Sequence, residues 1–418
     1  MTNASRWFGR LASVGAFMVP GLALALPSGY SYGAALLALA ALASAPLWWP
    51  HPAPRSAWWL AAAFSGMAAL WMLDVGAAWG WGSMDRPAKY VLALPCIFYL
   101  VAFPPRTAWL WAGIAAGAIG GGLVGLYQTY GLGMARATGF TNAIQYGNLS
   151  LLLALMAGLV LMTLWARWML WQRWVLVSAV LLGLVGSVLS QSRGGWLALA
   201  LLLPVCAWLI VRSTGQRRVY WGLCALVVVA GALSQLPAVE QRVDEARHEV
   251  EIHTERGDSR SSVGQRLAHW SLAWQMGLAR PWTGWGRAGY AEEKARRVAN
   301  GSAHPFVLQF GHAHNEVLDL FAKRGLPGVL LLLVFYGVPL ALFWPTCERI
   351  RGASGPVDKE SLTLCLVGVM LPLSYIGFGW TQVFLAHNSG NLFYLFMCPL
   401  VLGALSRQRA RMRALPSF

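Results

Sequence analysis

Long apolar stretches recur about a dozen times along the chain, with short polar connections between most of them. A helix needs about 20 apolar residues to cross the hydrocarbon core of a bilayer. Charged residues make up only 11% of the chain, far below the usual share in water-soluble domains. The sequence therefore predicts an all-α polytopic membrane protein, with spans near 11–28, 31–49, 57–79, 89–104, 107–130, 145–165, 171–190, 194–211, 219–235, 325–345, 361–379 and 385–406.

Basic residues collect before the first stretch, after each even-numbered stretch and in the tail. Lysine and arginine favour the cytoplasmic side, so we expect an even number of spans with both termini in the cytoplasm. The first stretch ends in ALALPSG, as a cleaved signal peptide does. Because a second apolar stretch follows at once, we interpret it as a span.

The net charge of +16 follows from this topology and needs no nucleic-acid partner; membrane lipids are the expected partners of the basic tail. The six cysteines lie within predicted spans or at their cytoplasmic edges. They show neither a disulfide framework nor a zinc spacing, and no metal is predicted.

Residues 236–324 break the pattern of short connections and hold 11 of the 16 acidic residues. The predicted organisation is nine spans in 1–235, an extracytoplasmic helical loop in 236–324, and three spans with a basic tail in 325–418. Within the loop, 237–257 predicts a solvated helix. Residues 261–281 predict an amphipathic helix that begins near Ser262, ends before Pro281 and lies on the membrane or over the bundle, with the apolar positions Leu267, Trp270, Trp274 and Leu278.

Four polar segments fall on the same, outer side of this topology. They are RATGFTNAIQYGN (136–148), SQSRGG (190–195), RLAHWSLAWQMGLARPWTGWG (266–286) and HAHNEVLDLFAKRG (312–325). Polar groups next to lipid are costly and usually functional. Their convergence on one side predicts a site there.

Three arginines in these segments are candidate anion ligands. Arg193 stands before two glycines, where backbone N–H groups can also approach an anion, although an interfacial arginine at the end of a span is equally consistent. Arg266 lies in the first turn of its helix, where it binds either a phosphate or an acid of 240–258. Arg136 is a weaker third candidate, beside Asn142 and other polar residues that either line a pocket or join helices.

His314 is the strongest candidate for a general base, because imidazole titrates near neutrality. Asn315 could orient the imidazole or a sugar hydroxyl. His312 and Glu316 are close enough to suggest a metal site, but the spacing matches no known metal motif. The simpler alternative is a capped helix start whose histidines have structural partners.

Several motifs are absent from the sequence, and their absence narrows the chemistry. There is no P-loop, no GxGxxG dinucleotide fingerprint in a strand–helix setting and no Asp-x-Asp motif, so we expect no cofactor. A substrate on the outer face must then arrive already activated. A lipid-anchored, anionic, polyprenyl diphosphate-linked glycan meets this requirement.

Taken together, these motifs resemble the lipopolysaccharide O-antigen ligase (WaaL) family, within the larger O-antigen ligase and polymerase (Wzy-like) superfamily. The resemblance rests on RATGF-TNAIQYGN, SQSRGGWLAL, the Arg266-Trp270-Trp274 helix with RPWTGWG, and HAHNEVLDLFAKRGLPG, in the family's order over residues 136–328. It implies an inverting, metal-independent glycosyltransferase of GT-C type in the bacterial inner membrane, with its active site on the periplasmic face.

The resemblance also implies the substrates and the roles of the motif residues. The enzyme would transfer O-antigen from undecaprenyl diphosphate to lipid A–core. His314 takes the place of the family's essential histidine, and Arg193 and Arg266 take the places of its functional arginines. His312, Asn315, Glu316, Trp270 and Asn142 are supporting candidates.

Alternatives remain at this stage. An O-antigen polymerase or a protein O-oligosaccharyltransferase would use the same donor, and the sequence does not identify the acceptor. A polysaccharide or lipid transporter would explain the bundle of spans. It would not explain the outer histidines or the lack of internal repeats.

Overall fold

The fold is built from helices. The computed structural model describes residues 3–77, 81–217, 262–351 and 355–414, and within them it has no β-structure beyond one isolated bridge between Arg351 and Val357. The longer helices there are α1 (Asn3–Gly21), α2 (Gly29–Ala43), α3 (Arg55–Ala77), α4 (Trp81–Ala102), α5 (Thr107–Leu126), α6 (Ala143–Thr163), α7 (Leu170–Leu189), α8 (Leu197–Thr214), α9 (Ser262–Ala279), α10 (Gly286–Ala299), α11 (Glu316–Phe343), α12 (Lys359–Gly379) and α13 (Asn388–Ala414). The predicted all-α class is confirmed.

In the described part of the chain, eight helical segments are long and apolar enough to cross a membrane. Each corresponds to one of the helices above, in some cases with an adjoining turn: α3, α5, α6, α7, α8, α11, α12 and α13. The helix α2 is apolar but has only 15 residues. The predicted span near 219–235 and the predicted helix within 237–257 lie outside the described residues, so the expected total of about twelve spans stays a prediction.

Several helix boundaries differ from the predicted spans, among them the start of α11, at Glu316 rather than near 325, and the end of α13, at Ala414 rather than near 406. The helix α1 ends at Gly21 rather than near 28. The span expected at 31–49 is broken at Ser44 into α2 and a single turn, Ala45–Trp48, because Pro46 has no N–H to continue the helix. The helix α4 begins eight residues before the predicted position 89 and includes the polar segment Asp85–Lys89.

The helices α12 and α13 form the centre of the bundle, and almost all of their residues are buried. They pack on each other, while α11, α8 and α6 surround α12, and α4 and α2 pack against α13. The apolar core extends through all of these helices and also includes α1, α3 and α5.

The bundle has two chemically different ends. We define the basic end by Arg106, Arg167, Glu360 and Arg407. Arg167, in the connection between α6 and α7, forms an ion pair with Glu360 at the start of α12. Arg407, near the end of α13, donates a hydrogen bond to the Pro104 carbonyl. The segments predicted to be cytoplasmic therefore meet here. The outer polar segments meet at the opposite end, which we call the site end.

A cap of helices covers the site end. This cap, residues 262–315, contains α9, α10 and a 3₁₀ turn at Pro305–Gln309. It has a small core of its own, which includes Leu272, Met276 and Tyr290. A loop that encloses its own apolar cluster can hold side chains in fixed positions.

The helix predicted at 261–281 is present as α9, and it packs over α11 as one of the two expected arrangements. Its buried face differs from the predicted stripe. His269, Ala273 and Met276 are buried, whereas Trp274 and Leu278 are more than half exposed. Apolar residues occur on both faces of α9, so hydrophobic spacing alone could not identify the packed one.

Candidate functional site

The loop that carries His314 is held rigidly where the cap meets α11. Asn315 caps α11, since its Oδ1 accepts a hydrogen bond from the Leu318 N–H at 3.0 Å. One oxygen of Asp319 accepts the Ala313 N–H at 2.9 Å. These contacts support His314 in the left-handed region, at φ 54°, a strained conformation that side chains other than glycine adopt rarely and often at functional sites.

Aromatic rings surround the imidazole of His314 on the cap side. The ring centres of Phe310, His312 and His269 lie 4.6, 4.3 and 5.4 Å from that of His314, all edge to face. His312 also accepts the backbone N–H of His314 on its Nδ1 at 3.3 Å. His312 is therefore a direct neighbour of the candidate base.

Gln382 lies on the bundle side of His314 and links it to another histidine. The Oε1 of Gln382 is 3.1 Å from the Nδ1 of His314, and its Nε2 is 3.3 Å from the Nε2 of His387. The other nitrogen of His387, Nδ1, lies 3.3 Å from the Nδ2 of Asn142. A continuous polar chain thus runs from His314 to the N-terminus of α6.

Burial keeps the histidines of this cluster neutral. It lowers the pKa of His269 to about 4 and that of His312 to about 3, with nearby His314 as the next cause. The pKa of His314 is also lowered by burial, partly opposed by the bond to Gln382 and lowered further by the positive charge of Arg266. A neutral imidazole is the protonation state that can accept a proton.

Arg266 lies on α9, one turn before His269, and its charge acts on His314. Desolvation lowers the pKa of its guanidinium, although an arginine stays charged in proteins. No acid of the described residues pairs with Arg266. The predicted acidic partner in 240–258 lies outside the described part of the chain.

The turn that carries Arg193 packs directly against the segment of Gln382. A Cβ on Gly194 would stand 2.3 Å from the Thr381 Oγ1, and one on Gly195 would stand 2.0 Å from the Asn148 Oδ1. These glycines are therefore required by close packing, whatever their role in anion binding. The side chain of Arg193 is exposed at the rim.

Arg136 is attached to the same turn, since its Nε donates to the Ser190 carbonyl at 3.0 Å. Two further bonds join the neighbouring residues, Ala137 N–H to Leu189 O at 2.9 Å and Gln191 Nε2 to Ala135 O at 2.7 Å. The structure thus brings Arg136 and Arg193 to one rim, on the bundle side of His314, while Arg266 lies on the cap side.

Three supporting candidates have structural contacts in the described chain. Glu316 is buried, and its Oε2 accepts the Leu385 N–H at 3.0 Å. Asn142 caps α6 through its Oδ1, which accepts the Gln145 N–H at 2.9 Å. Asn315 caps α11, as described above. Trp270 lies in α9 with its indole N–H buried and unpaired among the described residues.

The RPWTGWG and AKRGLPG segments bind each other. Gly325 has φ 63° and kinks α11, so that the Leu326 N–H reaches the Pro281 carbonyl at 2.7 Å. The Trp285 N–H donates to the Ala322 carbonyl at 3.0 Å. An ion pair between the buried Arg324 and the partly buried Asp74 of α3 fixes this junction to the bundle.

Sequence reasoning missed Gln382, His387 and His269 as members of the site. One signal was available for His387: the triplet Ala-His-Asn occurs at 313–315 and again at 386–388, and both copies stand at the start of a helix. A further cation was also missed, since Arg86 of α4 donates to the Ala386 carbonyl at 3.3 Å.

The fold and the site together define a multi-pass, all-helical membrane protein with a histidine and arginine site at one end of its bundle. A family model described as O-antigen ligase matches residues 178–333, which make up less than half of the chain. The matched region includes Arg193, Arg266 and His314. An uncharacterized protein of Haemophilus influenzae is 26% identical over 313 residues, which make up 74% of this chain and 77% of that protein.

Proposed function

We propose that the protein is an O-antigen ligase of the bacterial inner membrane. It transfers O-antigen polysaccharide from undecaprenyl diphosphate to a sugar hydroxyl of lipid A–core, with both termini in the cytoplasm and the site end facing the periplasm. The family match supports the superfamily. The position of the polar segments at the end opposite the basic one supports the orientation.

The proposed reaction is an inverting displacement. His314 accepts the proton of the acceptor hydroxyl as its oxygen attacks the anomeric carbon from the face opposite the diphosphate. A new glycosidic bond forms, the bond from the anomeric carbon to the diphosphate oxygen breaks, and undecaprenyl diphosphate leaves with the bonding electrons. Arg193 and Arg266, with Arg136, stabilise the negative charge that grows on the leaving group, a role that positioned cations perform in other phosphate sites.

One observation carries this proposal: a neutral, partly buried imidazole lies between two sets of arginines that belong to different parts of the chain. Arg266 acts on His314 from the cap. The turn of Arg193 packs on Thr381, next to the Gln382 that contacts His314. A base close to an anion site is the arrangement that attack on a glycosyl diphosphate requires.

The test uses purified protein in detergent with lipid-linked O-antigen as donor and lipid A–core as acceptor. We expect glycosylated lipid A–core to form, and to form equally in the presence of EDTA. Product that disappears with EDTA would contradict the metal-independent mechanism. Chain growth of the donor glycan without lipid A–core would identify a polymerase, and transfer to an acceptor protein would identify a protein O-oligosaccharyltransferase.

A further inference from the structure

We propose that Gln382 and His387 form a hydrogen-bond relay that selects the tautomer of His314 and so determines which of its nitrogens acts as the base, and that Asn142 opposes this relay through its contact with His387. This proposal rests on the proposed function. The residues come from three separate segments, the loop between α12 and α13, the N-terminus of α6 and the start of α11.

The contact with Gln382 assigns the proton of His314. The side-chain oxygen of Gln382 can only accept a hydrogen bond, so its 3.1 Å contact requires that Nδ1 of His314 carry the proton. The lone pair is then on Nε2, the nitrogen left free to receive a proton from the acceptor. An imidazole with the opposite tautomer would present an N–H at that position and could not act as a base through it.

His387 fixes the orientation of the Gln382 amide. The side-chain nitrogen of Gln382 can only donate, so Nε2 of His387 must accept at 3.3 Å. If the Gln382 amide turned over, its NH₂ would face Nδ1 of His314 and impose the opposite tautomer. His387 therefore acts on the base through Gln382, and both are positioning residues.

Asn142 competes with Gln382 to determine which nitrogen of His387 carries the proton. Its Oδ1 is held by the Gln145 N–H, so its NH₂ faces Nδ1 of His387 at 3.3 Å. A neutral histidine donates from one nitrogen and accepts on the other, and His387 therefore cannot accept from both amides. If Nδ1 of His387 accepts from Asn142, its Nε2 carries the proton, and the Gln382 amide must turn over. If Nε2 of His387 accepts from Gln382 instead, the amide keeps its orientation and His314 keeps Nε2 free to act as the base.

The packing of the relay supports a functional role over a purely structural one. Gln382 is buried at 3% exposure, and its two polar atoms face two imidazoles. Buried polar groups need partners, but any pair of polar groups would meet that need. The strained backbone of His314, at φ 54°, points the ring toward this amide at an energetic cost.

The test compares Gln382→Leu with Gln382→Glu in the ligase assay. We expect Gln382→Leu to lower kcat about 10- to 100-fold, as the loss of an orienting partner commonly does, with KM for the donor unchanged. Gln408→Leu is the matched control, because Gln408 is a buried glutamine at the basic end that bonds to Asp358. Both variants should elute and melt as the wild type does.

Gln382→Glu supplies a readout that a structural role would not move. A carboxylate accepts from Nδ1–H of His314 and so keeps the productive tautomer, and its charge raises the pKa of the imidazole. Activity should return, with the acid limb of kcat shifted to higher pH. The other groups that act on His314 stay in place: Arg266 and His269 of α9, Lys294 of α10, and His312, Asp319 and His387.

Asn142→Asp tests the direction of the relay. Aspartate keeps the helix cap and offers an acceptor to Nδ1–H of His387, so this variant should exceed wild-type kcat. A folded Gln382→Leu with wild-type kcat, or a Gln382→Glu with an unmoved acid limb, overturns the relay. If both Gln382 variants behave as wild type while His314→Ala is inactive, only the relay fails. An active His314→Ala removes the proposed mechanism itself.

Discussion

At the scale of single residues, His314 combines several constraints that act in the same direction. Its ring is partly buried against Phe310, His312 and His269. Its positive φ is maintained by the next residue, Asn315, whose side chain bonds to the first turn of α11. Burial lowers its pKa, so the ring is neutral at physiological pH. These constraints cost folding energy and leave one nitrogen accessible, which is the pattern of a preorganised base.

Replacement of His314 by alanine should reduce glycosyl transfer about 10²- to 10⁴-fold, the usual contribution of a positioned general base. The measurement is kcat for formation of glycosylated lipid A–core. His304→Ala is the control, because His304 is an exposed histidine of the same cap. A His314 variant with near-normal turnover would exclude this residue as the base.

The pH profile should reflect the lowered pKa of His314. The base must be neutral to act, and burial holds its pKa below the ordinary value of 6.5. The acid limb of kcat/KM should therefore have its midpoint below pH 6.5. A profile whose acid limb has its midpoint above 6.5 would contradict a desolvated imidazole.

Arg193→Lys should lower kcat/KM at least about tenfold, because an ammonium group cannot reproduce bidentate contact with a diphosphate. Arg413→Lys, in the exposed tail of α13, is the control for the same change elsewhere. Binding of the lipid-linked donor should weaken along with turnover. Wild-type kinetics in Arg193→Lys would mean that this arginine does not hold the leaving group.

At the scale of elements, the long spans were predictable and the site loops only partly so. The length of its apolar stretch is enough to predict a helix such as α12. The start of α11 could be predicted from Asn315, a residue type that commonly caps helix N-termini. The position of Gln382 could not, because no periodicity applies to the short connection between α12 and α13. The buried face of α9 was also missed, since its packing on α11 is set by Gly277, which allows Phe321 to approach closely.

The junction between RPWTGWG and α11 should depend on its glycines. Gly284 has φ 61°, and a Cβ there would stand 2.3 Å from the Arg324 N and the Lys323 carbonyl carbon. Gly284→Ala should therefore destabilise the fold by about 1–3 kcal/mol. Gly289→Ala in α10 is the control, because its nearest atom would be 3.8 Å away. Thermal unfolding in detergent compares the two, and equal stability would contradict the close packing.

The cap should lose stability in acid through His269. This histidine is 1% exposed, with both ring nitrogens unpaired among the described residues. Its pKa is about 4 when folded and 6.5 ordinarily, so the unfolded state binds the proton more readily. Stability is complete above pH 6.5 and declines as the pH falls toward 4.

His269→Phe should flatten this dependence, because phenylalanine keeps the ring contacts with Phe306 and Phe310 and does not titrate. The measurement is the melting temperature of each protein from pH 7 to pH 4. His312 contributes a similar effect, so part of the slope should remain. Melting curves that shift in parallel for both proteins would exclude His269 as a source of the dependence.

At the scale of the whole molecule, the positions of the basic residues and the lengths of the apolar stretches both predicted a bundle with two chemically different ends. The structure brings the basic segments together around Arg167 and Arg407, and it brings the polar segments together around His314. The end of the bundle at which each segment lies could be predicted from the alternation of the spans. Their division between cap and bundle could not, because it depends on the separate core of the cap.

The proposed orientation can be tested with the native Cys347, which is exposed at the basic end. In intact cells with a permeabilised outer membrane, a membrane-impermeant maleimide should not label Cys347. A cysteine placed at the exposed cap position Ser302 should be labelled. Labelling of Cys347 under these conditions would reverse the proposed topology.

The separate core of the cap has a mechanical consequence. Arg266 belongs to the cap, whereas Arg193, Arg136 and Gln382 belong to the bundle, and His314 lies on the seam between them. The groups proposed to react are therefore divided between two separately packed parts of the fold, and their alignment depends on the contacts by which the cap packs on α11. A substitution at those contacts should therefore shift Arg266 relative to Arg193 while leaving the apolar core of the spans intact.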